Sequence, residues 1–151
     1  MDTFPRTGRI AGIDYGTVRI GVAVTDPEQR LASPLENYTR RDAAGDAVWI
    51  KQLAAEERLV GLVVGLPVHT DGRESQKSIE ARQFGQWLAE QTKLPVRFFD
   101  ERYTSCQAQA LLQEAGLTSK RRKERLDKLA AQVMLTAYLE SSRDGEGSGS
   151  L

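Results

Sequence analysis

The apolar and polar positions of this 151-residue chain change period several times, and each change marks an element. From Arg9 to Thr25 two runs of β-branched and small residues are divided at Tyr15-Gly16-Thr17, which predicts a strand, a tight turn and a returning strand. Asp26-Pro27-Glu28-Gln29 marks a second turn before a weaker extended run from Leu31 to Tyr38. From Asp42 the spacing shifts to Val48, Leu53 and Leu59 among helix formers, predicting a helix that ends near Arg58. Leu59 to Leu66 is almost continuously apolar and stops at Pro67, the pattern of a central strand covered on both faces. A helix follows over Ser75 to Thr92 with Ile79, Phe84, Trp87 and Leu88 inward. Pro95 then introduces a short strand over Val96 to Phe99. Thr104, with Gln107 three residues on, opens a helix that Gly116 closes, and a last helix runs from about Glu124 to Leu139. Met1 to Thr7 reads as a disordered lead, and Ser141 to Leu151, rich in Gly and Ser, as a flexible tail.

The predicted order is β-β-β-α-β-α-β-α-α, an antiparallel meander followed by strands that run parallel through right-handed crossovers. This is an α/β class with a ribonuclease H-like mixed five-stranded sheet flanked by helices. We expect a single domain over residues 1–140 and a tail over 141–151. Hydrophobic content of 40% and charged content of 28% are ordinary for a globular chain, and 21 basic against 21 acidic residues leave no global charge to select a partner. Any nucleic-acid signal must be local. The single cysteine, Cys106, excludes an intramolecular disulfide and a cysteine zinc cluster, and fits a reducing compartment. With no basic-then-apolar leader and no apolar run of spanning length, the expectation is a cytoplasmic protein with no membrane partner.

Asp14 changes this picture. Alternation along the first strand puts Ile10, Gly12 and Asp14 on one face and Ala11, Ile13 and Tyr15 on the other, so Asp14 points where Gly12 leaves room. A carboxylate in an apolar strand is costly to bury unless a cation compensates it, although an Asp at a strand end can simply help a turn. Glu101, just past the short strand, and Asp127, in the last helix, are the other carboxylates that chain order can bring to the same place. Ala130 and Ala131 share the helix face of Asp127, and their small side chains let that face approach the sheet. Three converging carboxylates repel one another unless divalent cations sit between them, and an all-oxygen set favours Mg2+ or Mn2+. Taken singly, Glu101 or Asp127 is better read as pairing with Arg102, Arg125 or Lys128 as a solvated surface charge.

Two further stretches suit phosphate. Gly65, Pro67 and Gly72 belong to a loop between the apolar strand and the next helix, where backbone N–H groups can receive a phosphate or where glycine merely serves the turn. Lys120, Arg121, Arg122, Lys123 and Arg125 form a basic run beside Asp127, either a solvated face or a phosphate-backbone contact. Arg19 and Arg102 are additional candidates for phosphate contact. His69, the only histidine, stays outside the catalytic set; Cys106, Trp49 and Trp87 read as structural.

Gly12-Ile13-Asp14-Tyr15-Gly16 with Arg19-Ile20-Gly21-Val22-Ala23, Gly65-Leu66-Pro67 with Asp71-Gly72, Asp100-Glu101-Arg102-Tyr103-Thr104 and Asp127-Lys128-Leu129-Ala130-Ala131 together resemble the YqgF, or RuvX, branch of the ribonuclease H-like nucleases. The likeness runs from Ile10 to Glu140. It implies that Asp14, Glu101 and Asp127 occupy the family's acidic active-site positions and that the activity is metal-dependent phosphodiester hydrolysis. The family is described both as maturing the 5′ end of pre-16S ribosomal RNA and as resolving Holliday junctions. The implied partners are a structured RNA precursor or branched DNA, and ribosomal precursor particles, for a monomer or weak homodimer. By this reading two ions about 3.5 to 4 Å apart activate water and stabilise the leaving oxygen, with Asp14 between them. Related junction resolvases carry a fourth carboxylate; Asp100 neighbours Glu101 but projects to the opposite face if the strand continues. Asp14-Tyr15-Gly16-Thr17 also looks like the first phosphate loop of actin-like and sugar-kinase ATPases, and a non-catalytic ribosome-assembly module is a third reading.

Overall fold

The computed structural model describes residues 4–67 and 75–101 in full, and residues 119–148 as a helix with side chains described from Lys128 to Ser142. Five strands, β1 (Arg9–Asp14), β2 (Arg19–Thr25), β3 (Ala32–Thr39), β4 (Leu59–Leu66) and β5 (Val96–Asp100), form one sheet in the order β3-β2-β1-β4-β5. The first three pair antiparallel, whereas β4 lies parallel to β1 and β5 parallel to β4. This is the predicted mixed sheet. Helices α1 (Ala43–Glu56) and α2 (Gln76–Thr92) cover one face, and α3 (Ser119–Ser148) covers the other.

Local chemistry sets the helix ends. Asp42 caps α1 by accepting from the Gly45 N–H at 2.7 Å, and Ser75 caps α2 by accepting from the Ser78 N–H at 3.1 Å. Lys93, in the left-handed region at φ 60°, stops α2 while its N–H reaches the Ala89 carbonyl. Ala11, Ile13, Val22, Ile50, Leu62, Val64 and Leu88 form the core beneath α1 and α2, while Ile10, Ala23, Val63, Met134 and Leu135 form that beneath α3. Both faces of β1 and β4 are therefore covered, which accounts for their unbroken apolar runs.

Four expectations change. Val48 is 64% exposed, because α1 turns the stripe Asp46, Ile50 and Leu53 inward and Val48 lies across the helix from it. Ile79 is exposed for the same reason, since α2 buries Ser78, Ala81, Phe84, Gly85 and Leu88. The lead is not loose over its described part: Phe4 packs edge-on against Tyr138, and Gln29 donates to the carbonyls of Pro5 and Gly8. Finally, α3 is longer than its apolar periodicity at both ends, taking in the basic run and the Gly/Ser-containing residues up to Ser148. Once the packed middle of a helix has formed, adding flanking residues carries no nucleation cost, and Lys and Arg are good helix formers. The helix predicted over Thr104 to Gly116 lies outside the described residues. No described helix is long and apolar enough to cross a membrane.

Candidate active site

Three adjacent parallel strands bring the first two acidic candidates together. On β1, Ala11 and Ile13 join the α1/α2 core and Ile10 joins the α3 core, so Asp14 falls on the α3 face, as alternation predicts. Gly12 is what lets α3 come so close: a Cβ there would stand 2.9 Å from Leu135 Cβ and 3.3 Å from the Ala131 carbonyl. On β5, Phe98 meets Gly85 of α2 and Phe99 stands edge-on to Tyr138 of α3. The same alternation puts Asp100 on the α2 side and Glu101 on the α3 side.

Between β1 and β5 runs β4, and a side chain there would separate the two carboxylates. Gly65, one place beyond the Ile13–Val64 pair and level with Phe99, has none. The Glu101 carboxylate occupies that space: a Cβ on Gly65 would overlap Glu101 Oε1 and come within 3.1 Å of Met134 Cγ. Glu101 and Asp14 share a side-chain hydrogen bond across the gap. Burial pushes the Glu101 pKa above the ordinary carboxylate value; the bond to Asp14 and the charge of Lys77 oppose the shift, while Asp100 adds to it.

The sign of this shift gives a stability prediction. A carboxyl whose pKa is raised on folding contributes stability in full below its unfolded value, and loses that contribution as pH rises through the folded value. In chelator, the melting temperature of the protein should therefore fall as pH increases above the ordinary Glu range, and Glu101→Gln should flatten the fall. Thermal melts from about pH 4 to 8 check this; parallel curves for the two proteins would assign the pH dependence to other groups.

Asp127 lies in α3 one helical turn before Ala131, the residue whose carbonyl abuts Gly12. Among the described residues no group of three His, Cys, Asp or Glu side chains gathers for a metal, and the Asp127 side chain is outside the description. Arg19 opens β2 and, with Gly16, Gln76 and Lys77, lines a cleft of about 570 Å³ between the β1–β2 turn and the start of α2. Lys77 is the site residue that the sequence reading missed, because one lysine in the first turn of an amphipathic helix carries no signal by itself. Gly65 is the penultimate residue of β4, and the Pro67 carbonyl accepts from Ser75 Oγ at 3.1 Å. Lys120, Arg121, Arg122, Lys123 and Arg125 lie in the first turns of α3 rather than before it. Arg102, Gly72, His69 and Cys106 lie outside the described residues.

Comparison with known proteins agrees with this layout. The RuvX family, described as Holliday junction resolvase, matches residues 8–141. A relative from Rhodopirellula baltica that bears the name "Putative pre-16S rRNA nuclease" is 51% identical over 142 residues, covering 94% of this chain and 82% of the relative. A relative of the same name from Koribacter versatilis is 38% identical, covering 88% and 87%. Among solved structures, Thermus thermophilus RuvC in complex with a Holliday junction substrate superposes with a TM-score of 0.59 at 15% identity, covering 91% of this chain and 96% of that one. The fowlpox virus Holliday junction resolvase gives a TM-score of 0.51 at 12% identity, covering 88% and 99%. The chain belongs to the RuvX family, a family of nucleases and hence of hydrolases acting on phosphodiester bonds.

Proposed function

We propose that this chain is a divalent-metal-dependent endonuclease for structured nucleic acid, with the 5′ end of pre-16S ribosomal RNA as its substrate, working in the cytoplasm on ribosomal precursor particles. One observation carries the reading: the half-buried, hydrogen-bonded carboxyl pair Asp14–Glu101, brought together over a strand position that has no side chain. Two acids crowded on a half-buried spot are a poor device for stability but a ready-made seat for a hard cation, which offsets their charge. The set is oxygen-only and anionic, which suits Mg2+ or Mn2+.

Asp14 and Glu101, with Asp127 from α3, would hold the metal, whose chemistry is to make water nucleophilic at neutral pH and to neutralise charge on the phosphate. The chain's own groups do the rest. Gly12 and Gly65 let the helix and the two acids close on one spot. Arg19 and Lys77 border the adjoining cleft with positive charge, and the basic start of α3 together with Arg102 would contact the phosphate backbone.

Two tests follow. Cleavage should be offered pre-16S precursor RNA and four-way DNA junctions side by side, with magnesium, manganese, calcium or chelator. Cutting of the RNA with the first two ions and neither in chelator is the expected result; cutting of the junction alone would make the protein a resolvase, and binding without cutting would make it an assembly module. Neutralising Lys120, Arg121 and Arg122 together should flatten the dependence of affinity on salt by up to about two to three units of the log–log slope, since each phosphate contact contributes just under one. An unchanged slope would leave the run as a solvated face.

A further inference from the structure

Arg40 stands one residue past β3 and reaches back to the turn that follows Asp14. Its backbone N–H donates to the Val18 carbonyl at 2.9 Å, on the outgoing arm of that turn. Its Nη1 lies 3.4 Å from the Gly16 carbonyl and 3.4 Å from the Tyr15 hydroxyl, on the incoming arm. The guanidinium also sits over the rings of Phe84 and Tyr15, 5.1 and 5.5 Å from their centres. One residue thus grips both arms of the β1–β2 turn.

The grip is anchored deeply. Arg40 Nε donates to Asp46 Oδ2 at 3.2 Å, and Asp46 is 1% exposed. Asp46 also accepts from the Tyr38 hydroxyl at 2.7 Å and from the Arg41 N–H at 2.8 Å. Tyr38 in turn stacks on Trp49, with ring centres 3.9 Å apart, and the Trp49 indole N–H donates to Glu36. A buried carboxylate held by three donors is a rigid point, and a planar guanidinium is suited to transmit that rigidity to two acceptors at once. A flexible lysine could satisfy Asp46 but not all of these partners. None of this network lies on the α3 face where the acids meet, so packing of the site itself does not require it.

We propose that Arg40 is a positioning residue for the nuclease reaction: by clamping the Tyr15–Val18 turn to the Asp46 anchor, it fixes where the Asp14 carboxylate stands relative to Glu101. The proposal rests on the reading of Asp14 as a metal-holding acid. Arg40 touches neither metal nor substrate in this account, so its removal affects the turnover step and metal affinity rather than capture of nucleic acid.

The test compares wild type, Arg40→Lys, Arg40→Gln and, as a separate control on the reading of Asp14, Asp14→Asn. For Arg40→Lys and Arg40→Gln we expect kcat to fall about 10- to 100-fold, with KM for the nucleic acid within about twofold of wild type. The magnesium concentration for half-maximal activity should rise, and calorimetric titration with manganese in the absence of substrate should show weaker binding. Because a cavity of about 310 Å³ bordered by Tyr15, Ala43, Asp46 and Trp87 adjoins Arg40, added guanidinium ion should restore part of the kcat of Arg40→Gln but none of that of Asp14→Asn. If Arg40→Gln does not fold, Arg40→Lys, which retains a cation for Asp46, carries the test. Wild-type kcat and metal affinity in a folded Arg40 variant, or a raised KM with unchanged kcat, would overturn the proposal. Wild-type cleavage by Asp14→Asn would instead overturn the reading on which it rests.

Discussion

Asp14→Asn is expected to lower cleavage by about 10³-fold or more, a loss of about 4 kcal/mol of transition-state stabilisation, while leaving the metal-free protein as heat-stable as wild type or more so. The two effects have different origins. In the metal-free protein Asp14 stands against Glu101 in a half-buried spot, where burial already disfavours the charged form of Glu101. An asparagine keeps the shape, removes one of the two acids and can offer an N–H to the Glu101 carboxylate. Its cost appears only when metal is added: if Asp14 is the acidic ligand proposed above, magnesium should no longer raise the melting temperature of the variant by mass action. Melts of both proteins with and without magnesium, run beside the cleavage assay, separate these effects. A large destabilisation in chelator with cleavage intact would reduce Asp14 to a turn residue.

Gly65→Ala should also damage activity severely although it removes no functional group. The new methyl would overlap Glu101 Oε1 and press within 3.1 Å of Met134 Cγ, so either the carboxylate leaves the site or α3 lifts from β4. We expect activity to fall about 10²-fold, the scale on which a displacement near one ångström acts on a positioned group, and stability to fall by about 1 to 3 kcal/mol from overpacking. The cause can be isolated by a double-mutant cycle with Glu101→Ala. Truncating Glu101 removes the obstacle, so the double variant should recover much of the stability lost by Gly65→Ala while remaining inactive. Strictly additive destabilisation would place the clash elsewhere.

The two glycines show what the sequence disclosed and what it withheld. Period-two alternation alone assigned Asp14 to the face of Gly12, and the structure adds that the vacancy admits Leu135 and the Ala131 carbonyl of α3. The element order and the mixed character of the sheet were legible because each strand announces itself by an apolar run or a bounding turn, and because helix-linked strands have few ways to join a meander. Gly65 was visible as a strand-end glycine but read as part of a phosphate loop; its role beside Glu101 depends on the cross-strand register of β4 and β5, which no local pattern encodes. Lys77 and Arg40 were missed for a related reason. Their importance comes from partners 24 residues or more away in the chain, Glu101 for the one and Tyr15 with Gly16 for the other. The inward stripes of α1 and α2 were misjudged at Val48 and Ile79, where hydrophobic type was taken for inward direction although the helix phase places both outside.

That Asp14 and Glu101 hold a divalent cation is the claim on which the rest depends, and manganese diffraction addresses it without any assay. Crystals soaked in manganese and measured for anomalous scattering should show a peak bonded to oxygens of both Asp14 and Glu101, with Asp127 on the same ion or its neighbour, and the peak should vanish in Asp14→Asn. An anomalous map without a peak at this pair in occupied crystals, or one unchanged by Asp14→Asn, would contradict it.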